Sequence, residues 1–92
     1  MQTIIVACGA GVATSTVITD GVSRLLSEKG IEFRIIQCSL NEVPSYVDQS
    51  VLIISSMPLH QHYRVPVVLG IPFLTGVGLA QTKENILSVL TK

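Results

Sequence analysis

Positions 3–7, TIIVA, form a short β-branched and apolar run that stops at a glycine-containing stretch, and they predict a first strand. From Ser15 onward Val17, Ile18, Val22, Leu25 and Leu26 recur at helical spacing, which predicts a helix starting at about Thr14–Ser15. Lys29 and Gly30 close it, a cation in the last turn and a glycine just past the end. Positions 31–37 read as a second strand. The following SLNEVPSYVDQ reads as a loop or short helix interrupted at Pro44. Positions 51–55 predict a third strand and 65–69 a fourth, at a sheet edge because Pro66 has no N–H for the ladder. Positions 78–90 predict a final helix whose apolar stripe is Leu79, Ile86, Leu87 and Leu90.

Strands that alternate with helices pair in parallel through right-handed crossovers. The expected architecture is a three-layer α/β domain spanning residues 1–92. It has a four-stranded parallel sheet in the order 2-1-3-4 and helices on both faces. The third crossover, SMPLHQHYR, strains this reading, because it barely reaches the dozen residues that parallel connections usually need.

Composition agrees with that fold. The 92 residues are 48% hydrophobic, with two Phe, two Tyr and no Trp, so Val, Ile and Leu must supply the core. That palette suits strands covered on both faces. Six basic and six acidic residues balance and are scattered, which argues against nucleic acid as a partner. The long charge-free span 65–82 carries Pro66, Gly70, Pro72, Gly76 and Gly78, which would break a spanning helix, so no membrane insertion is expected. No secretory signal is visible at the start, and a cytoplasmic protein is expected. Cys8 and Cys38 lie in no Cys-x-x-Cys motif and at no zinc spacing, so the expectation is two reduced thiols, no metal and no cofactor.

In the order 2-1-3-4 the ligand-binding crevice falls at the carboxyl end of strand 1, where Cys8 stands. Gly9, Ala10, Gly11, Val12 and Ala13 are small or glycine, and their N–H groups can form a concave anion nest. The helix that follows adds unpaired N–H groups and the positive end of its dipole. Thr14, Ser15 and Thr16 supply hydroxyls at the rim. Such donors favour thiolate over thiol, the nucleophilic form.

Three related motifs do not fit. A nucleotide P-loop needs a lysine, and none lies between Met1 and Leu26. The dinucleotide fingerprint lacks its third glycine, since Thr14 stands there, and lacks the acidic residue ending strand 2. A cysteine phosphatase wants an arginine six positions after its nucleophile, where this chain again has Thr14. No carboxylate lies between Cys8 and Thr19 to serve as leaving-group acid. A loop that binds phosphate without clamp or acid should hydrolyse a phosphocysteine slowly. That is a defect in a phosphatase and an advantage in a carrier.

The segments IIVACGAGVATSTVI, IIQCSLNEV and GIPFLTGVG resemble the galactitol-type IIB component of the bacterial sugar phosphotransferase system, of the lactose/cellobiose/galactitol-like cysteine-loop type. The resemblance runs from the first strand to the last helix and is most specific at the cysteine loop. It implies a cytoplasmic phosphotransferase whose Cys8 accepts a phosphoryl group from a phosphohistidine on a IIA partner. The group then passes to a sugar or polyol, galactitol foremost, bound by a membrane IIC permease. It also implies that Gly9, Ala10, Gly11, Val12, Ala13, Thr14 and Ser15 form the phosphate loop.

Blander readings stand beside these. Cys8 also reads as a small core residue, and the glycine-rich segment as a tight turn with Thr14 and Ser15 capping the helix. Cys38 reads as passive, and His60 and His62 as solvated loop residues. Met57, Leu59, Phe73 and Leu74 flank the same edge, either as a docking surface or packed beneath the loops. Two alternative functions remain open: a module that senses phosphorylation through the same cysteine, and a thiol-redox protein using Cys8 with Cys38.

Overall fold

In a computed structural model that describes residues 2–8, 12–56 and 63–90, strands β1 (Gln2–Cys8), β2 (Phe33–Ser39), β3 (Leu52–Ser55) and β4 (Val67–Leu69) form one sheet. The order is β2-β1-β3-β4 and every pairing is parallel, as the alternation of strands and helices predicts. Ile4 to Ala7 of β1 and Leu52 to Ser55 of β3 are fully buried. These two central strands are covered on both faces, which is why they read as unbroken apolar runs.

Helices α1 (Val12–Glu28) and α4 (Leu79–Leu90) cover one face. There Ile18, Val22, Leu26, Ile86 and Leu90 pack with Ile4, Val6, Leu52 and Ile54 in the larger core cluster. The opposite face carries a smaller cluster of Ile5, Ala7, Ile53 and Val43, with Tyr46 and Val47 against it. Val43 and Tyr46 belong to α2 (Val43–Tyr46), one turn flanked by 3-10 turns at Leu40–Glu42 and Val47–Gln49. The segment expected as loop or short helix is thus helical through most of its length, and Pro44 lies in the first turn of α2, where a proline is tolerated.

The α1 helix ends at Glu28, so Lys29 lies just past its last turn and not in it as expected, and Gly30 follows. Gly30 adopts φ +70°, its N–H bonds the Ser27 carbonyl at 3.2 Å, and the Ile31 N–H bonds the Leu26 carbonyl at 3.0 Å. This pair of bonds satisfies carbonyls that the helix leaves open. Its start differs from expectation: α1 begins at Val12, not at Thr14–Ser15. The first residues with a Cβ after Gly11 already take helical geometry, and nothing at Val12 or Ala13 opposes it, Ala being the best helix former.

The remaining corrections are at element ends. The second strand lies two residues later than expected, at Phe33–Ser39, because Ile31 and Glu32 complete the turn out of α1. The fourth is shorter, at Val67–Leu69, on the edge that Pro66 requires. An extra turn, α3 (Pro72–Thr75), precedes α4 and ends at Gly76 with φ +80°. Most of the third crossover, 57–62, lies outside the described residues.

Candidate functional site

All four strands point their carboxyl ends to one edge, and that edge is tied together by backbone bonds. Ser39 is the Cα partner of Cys8 across β1 and β2. The Ser56 N–H bonds the Ala7 carbonyl at 3.1 Å, and the Gly70 N–H bonds the Ser55 carbonyl at 2.7 Å. Strand order reverses at β1, which has β2 on one side and β3 on the other. In open α/β sheets that reversal opens the binding crevice.

Cys8 is the last residue of β1, and the 17-residue helix α1 opens four positions later at Val12. A helix of this length leaves its first-turn N–H groups without intrahelical carbonyls, those of Val12, Ala13 and Thr14 among them. No acidic residue lies in this first turn to compete for them. The early start of α1 moves Val12 and Ala13 from the loop into the first turn of the helix. Gly9, Ala10 and Gly11 lie outside the described residues, as do Met57, Leu59, His60 and His62. Ser15 stands in the first turns of α1.

Phe73 and Leu74 separate the two readings that the sequence left open. Phe73 packs against the larger core cluster, its ring lying over the backbone of Gly21. Leu74 is exposed, as are Val17 and Val77, the last at 78%. Thus Phe73 lies beneath the edge and Leu74 on its surface. Cys38 is half-buried against the smaller cluster, in register with Ala7.

Two residues at this edge were not singled out from sequence. The Glu42 carboxylate accepts hydrogen bonds from the Ser39 N–H and the Ser39 hydroxyl, each at 3.0 Å. Those bonds, the backbone one foremost, hold the Glu42 carboxyl below the ordinary carboxylate range. The signal was present as S-x-x-E in SLNE, a capping box that starts a helical turn.

With this geometry in place, comparison with known proteins gives a consistent result. The family model described as "PTS system, Lactose/Cellobiose specific IIB subunit" matches residues 3–84. The chain is 38% identical over 92 residues to the "Putative phosphotransferase enzyme IIB component SgcB" of Escherichia coli K12, with both chains covered completely. It is 36% identical over 88 residues to the galactitol-specific EIIB component of the same organism, covering 95% of this chain and 94% of the relative. The galactitol-specific EIIB component of Shigella flexneri is 38% identical over the same coverage.

The chain belongs to the lactose/cellobiose-specific IIB family of the phosphotransferase system. It is a phosphotransferase component, a phosphoryl carrier in sugar or polyol transport that works with IIA and IIC components in general. No described helix is long and apolar enough to cross a membrane.

Proposed function

We propose that Cys8 is the residue that carries the phosphoryl group, within a single domain spanning 1–92 that works in the cytoplasm. Its thiolate attacks the phosphorus of a phosphohistidine on a IIA protein. The S–P bond forms as the N–P bond breaks, and the imidazole keeps the electron pair. In the second step a hydroxyl of a polyol held by a IIC permease attacks the same phosphorus. The O–P bond forms, the S–P bond breaks, the thiolate is regenerated and the hydroxyl proton passes to a base.

One observation carries this reading: Cys8 ends β1 at the reversal of strand order, with the N-terminus of α1 opening at Val12. Main-chain donors of Gly9, Ala10, Gly11, Val12, Ala13, Thr14 and Ser15, with the hydroxyls of Thr14 and Ser15, would hold the phosphoryl oxygens. Such donors carry no proton to a leaving group, so they support binding without hydrolysis. Galactitol is the proposed acceptor because two relatives that cover 95% of this chain are named for it.

The reading is tested by reconstituting transfer with a phosphorylated IIA protein and membranes holding the IIC permease, offering galactitol and other polyols in turn. Galactitol phosphate should accumulate only when the chain is present, and the Cys8→Ser variant should form none. Turnover of another polyol in preference to galactitol would overturn the acceptor assignment.

A further inference from the structure

The segments that follow β1 and β4 at the carboxyl edge are apolar and uncharged. Neither 12–19 nor 70–79 contains Asp, Glu, Lys or Arg. Within them Val17, Ile71, Leu74 and Val77 are exposed. Apolar side chains scattered singly over a surface are ordinary, whereas a cluster of them marks an interaction site.

Packing gathers these side chains onto one surface. The α3 turn packs against α1, with the Phe73 ring over Gly21, where a Cβ would overlap it. Val17 and Phe73 line, with Gly21 and Leu79, a groove of about 350 Å³ between α1 and the start of α4. That volume is at the low end for small-molecule pockets and suits an inserted side chain. Leu74 follows Phe73 in the same turn, and the Val77 N–H bonds the Thr75 hydroxyl at 3.2 Å, which holds Val77 against α3. Val17 lies five residues into α1, about 8 Å along its axis from Val12, so the groove opens close to the end of β1.

We infer that this apolar patch, Val17, Leu74 and Val77 around the α1–α3 groove, is the docking surface for the phosphorylated IIA donor. The inference rests on Cys8 as the acceptor. An imidazole hands over its phosphoryl group only within bonding reach of sulfur. The donor protein must therefore cover the end of β1 whichever way the thiol points, and the patch adjoins that end. Charge decides between the two partners. Cytoplasmic loops of a membrane permease carry an excess of Lys and Arg, and such a face is complementary to carboxylates. The patch has none to offer. The nearest in sequence, Asp20, is paired with Arg24 at 3.1 Å, and Glu42 follows β2 on the other side of β1. An uncharged apolar surface is complementary to an apolar one on the donor, and the area removed from water holds the two together.

The test compares Val17→Asp, Leu74→Asp and Val77→Asp with Val51→Asp, which puts the same charge on an exposed residue just before β3, at the opposite edge of the sheet. Phosphorylation of the intact chain is measured at several concentrations of phosphorylated IIA protein, and phosphoryl loss to IIC-bound acceptor is followed separately. A charge buried without a partner weakens docking. Each patch variant should raise KM for the IIA protein about tenfold and leave kcat within about twofold. Each should still pass its phosphoryl group onward at close to the parent rate. Leu74→Lys should weaken docking as Leu74→Asp does, Leu74→Ala should raise KM roughly two- to fourfold, and Val51→Asp should match the parent. An unchanged KM in the patch variants would overturn the inference. Loss confined to onward transfer would assign the patch to the permease, and a parent dimer dissolved by Leu74→Asp would assign it to a second copy. Either result would also overturn the inference, and all three leave the Cys8 reading intact. A phosphoryl group mapped to another residue would overturn the Cys8 reading itself.

Discussion

Cys38 stands opposite Ala7 in the parallel ladder between β2 and β1, one step short of the position that pairs with Cys8. Cys38 also packs against the smaller core cluster beside α2. A thiol placed there is a packing residue, and a two-cysteine mechanism would need the register shifted by one. A one-residue shift of a strand moves all its side chains to the other face, which the covered sheet forbids.

Cys38→Ser should therefore fold and pass its phosphoryl group onward at close to the parent rate. An alkylating probe near neutral pH should modify Cys8 first, and inorganic phosphate should slow that reaction. Loss of transfer in a folded Cys38→Ser protein would require both thiols.

Gly70 gives a prediction about packing at the same edge. A Cβ there would stand 2.9 Å from Cγ2 of Ile54 and 3.0 Å from Cδ1 of Ile18, both in the larger cluster. Gly70→Ala should destabilise the fold by about 1–3 kcal/mol, the usual cost of overpacking a core. Gly30→Ala meets no atom within 4 Å, yet its φ of +70° makes it costly by roughly 1 kcal/mol through backbone strain alone. Urea unfolding of both variants checks the two figures, and a neutral Gly70→Ala would refute the close approach.

Much of this fold was legible in the chain. The runs at 3–7 and 51–55 are apolar without alternation because β1 and β3 are buried on both faces, and the alternation of strands with helices pointed to parallel pairing. Gly30 marked the end of α1 because only glycine takes φ +70° at little cost. The start of α1 was less legible. Glycines at 9 and 11 suggested a longer loop, whereas Val12 and Ala13 already extend the helix. The segment between β2 and β3 read as a loop or short helix, and it is helical through most of its length. Pro44 was read as a break, when Ser39 and Glu42 had already capped a turn that proline could follow. At the site, Cys8 and the α1 N-terminus were visible because one strand and one helix place them. Glu42 reaches the edge through a hydrogen-bonded cap, and such a contact is harder to weigh from sequence than a glycine-rich loop.

The phosphate loop should act through its main chain. Gly9→Val and Gly11→Val should impair phosphorylation at least tenfold more than Thr16→Val, because a branched Cβ restricts the turn and crowds the anion. Initial rates of phosphorylation by a IIA protein measure this. Equal, mild effects in all three would place the cradle elsewhere.

The missing arginine gives a prediction of opposite sign. Thr14→Arg should shorten the lifetime of the phosphocysteine, since a guanidinium can clamp equatorial oxygens as charge develops on them. The absence of a leaving-group acid limits the gain, so a several-fold change is expected. Lifetime in buffer without acceptor is the readout, and an unchanged or longer lifetime in the folded variant would contradict the slow-hydrolysis account.

Mapping the phosphoryl group tests the central claim most directly. The chain is incubated with a phosphorylated IIA protein and the adduct located by mass spectrometry of its peptides, beside Cys8→Ser and a His60→Ala/His62→Ala variant. One adduct is predicted, on Cys8, with the lability of a thiophosphate. It should be present in the double histidine variant and absent in Cys8→Ser, whose hydroxyl is a far weaker nucleophile without a nearby base. An adduct on His60 or His62, or one that persists in Cys8→Ser, would contradict Cys8 as the carrier.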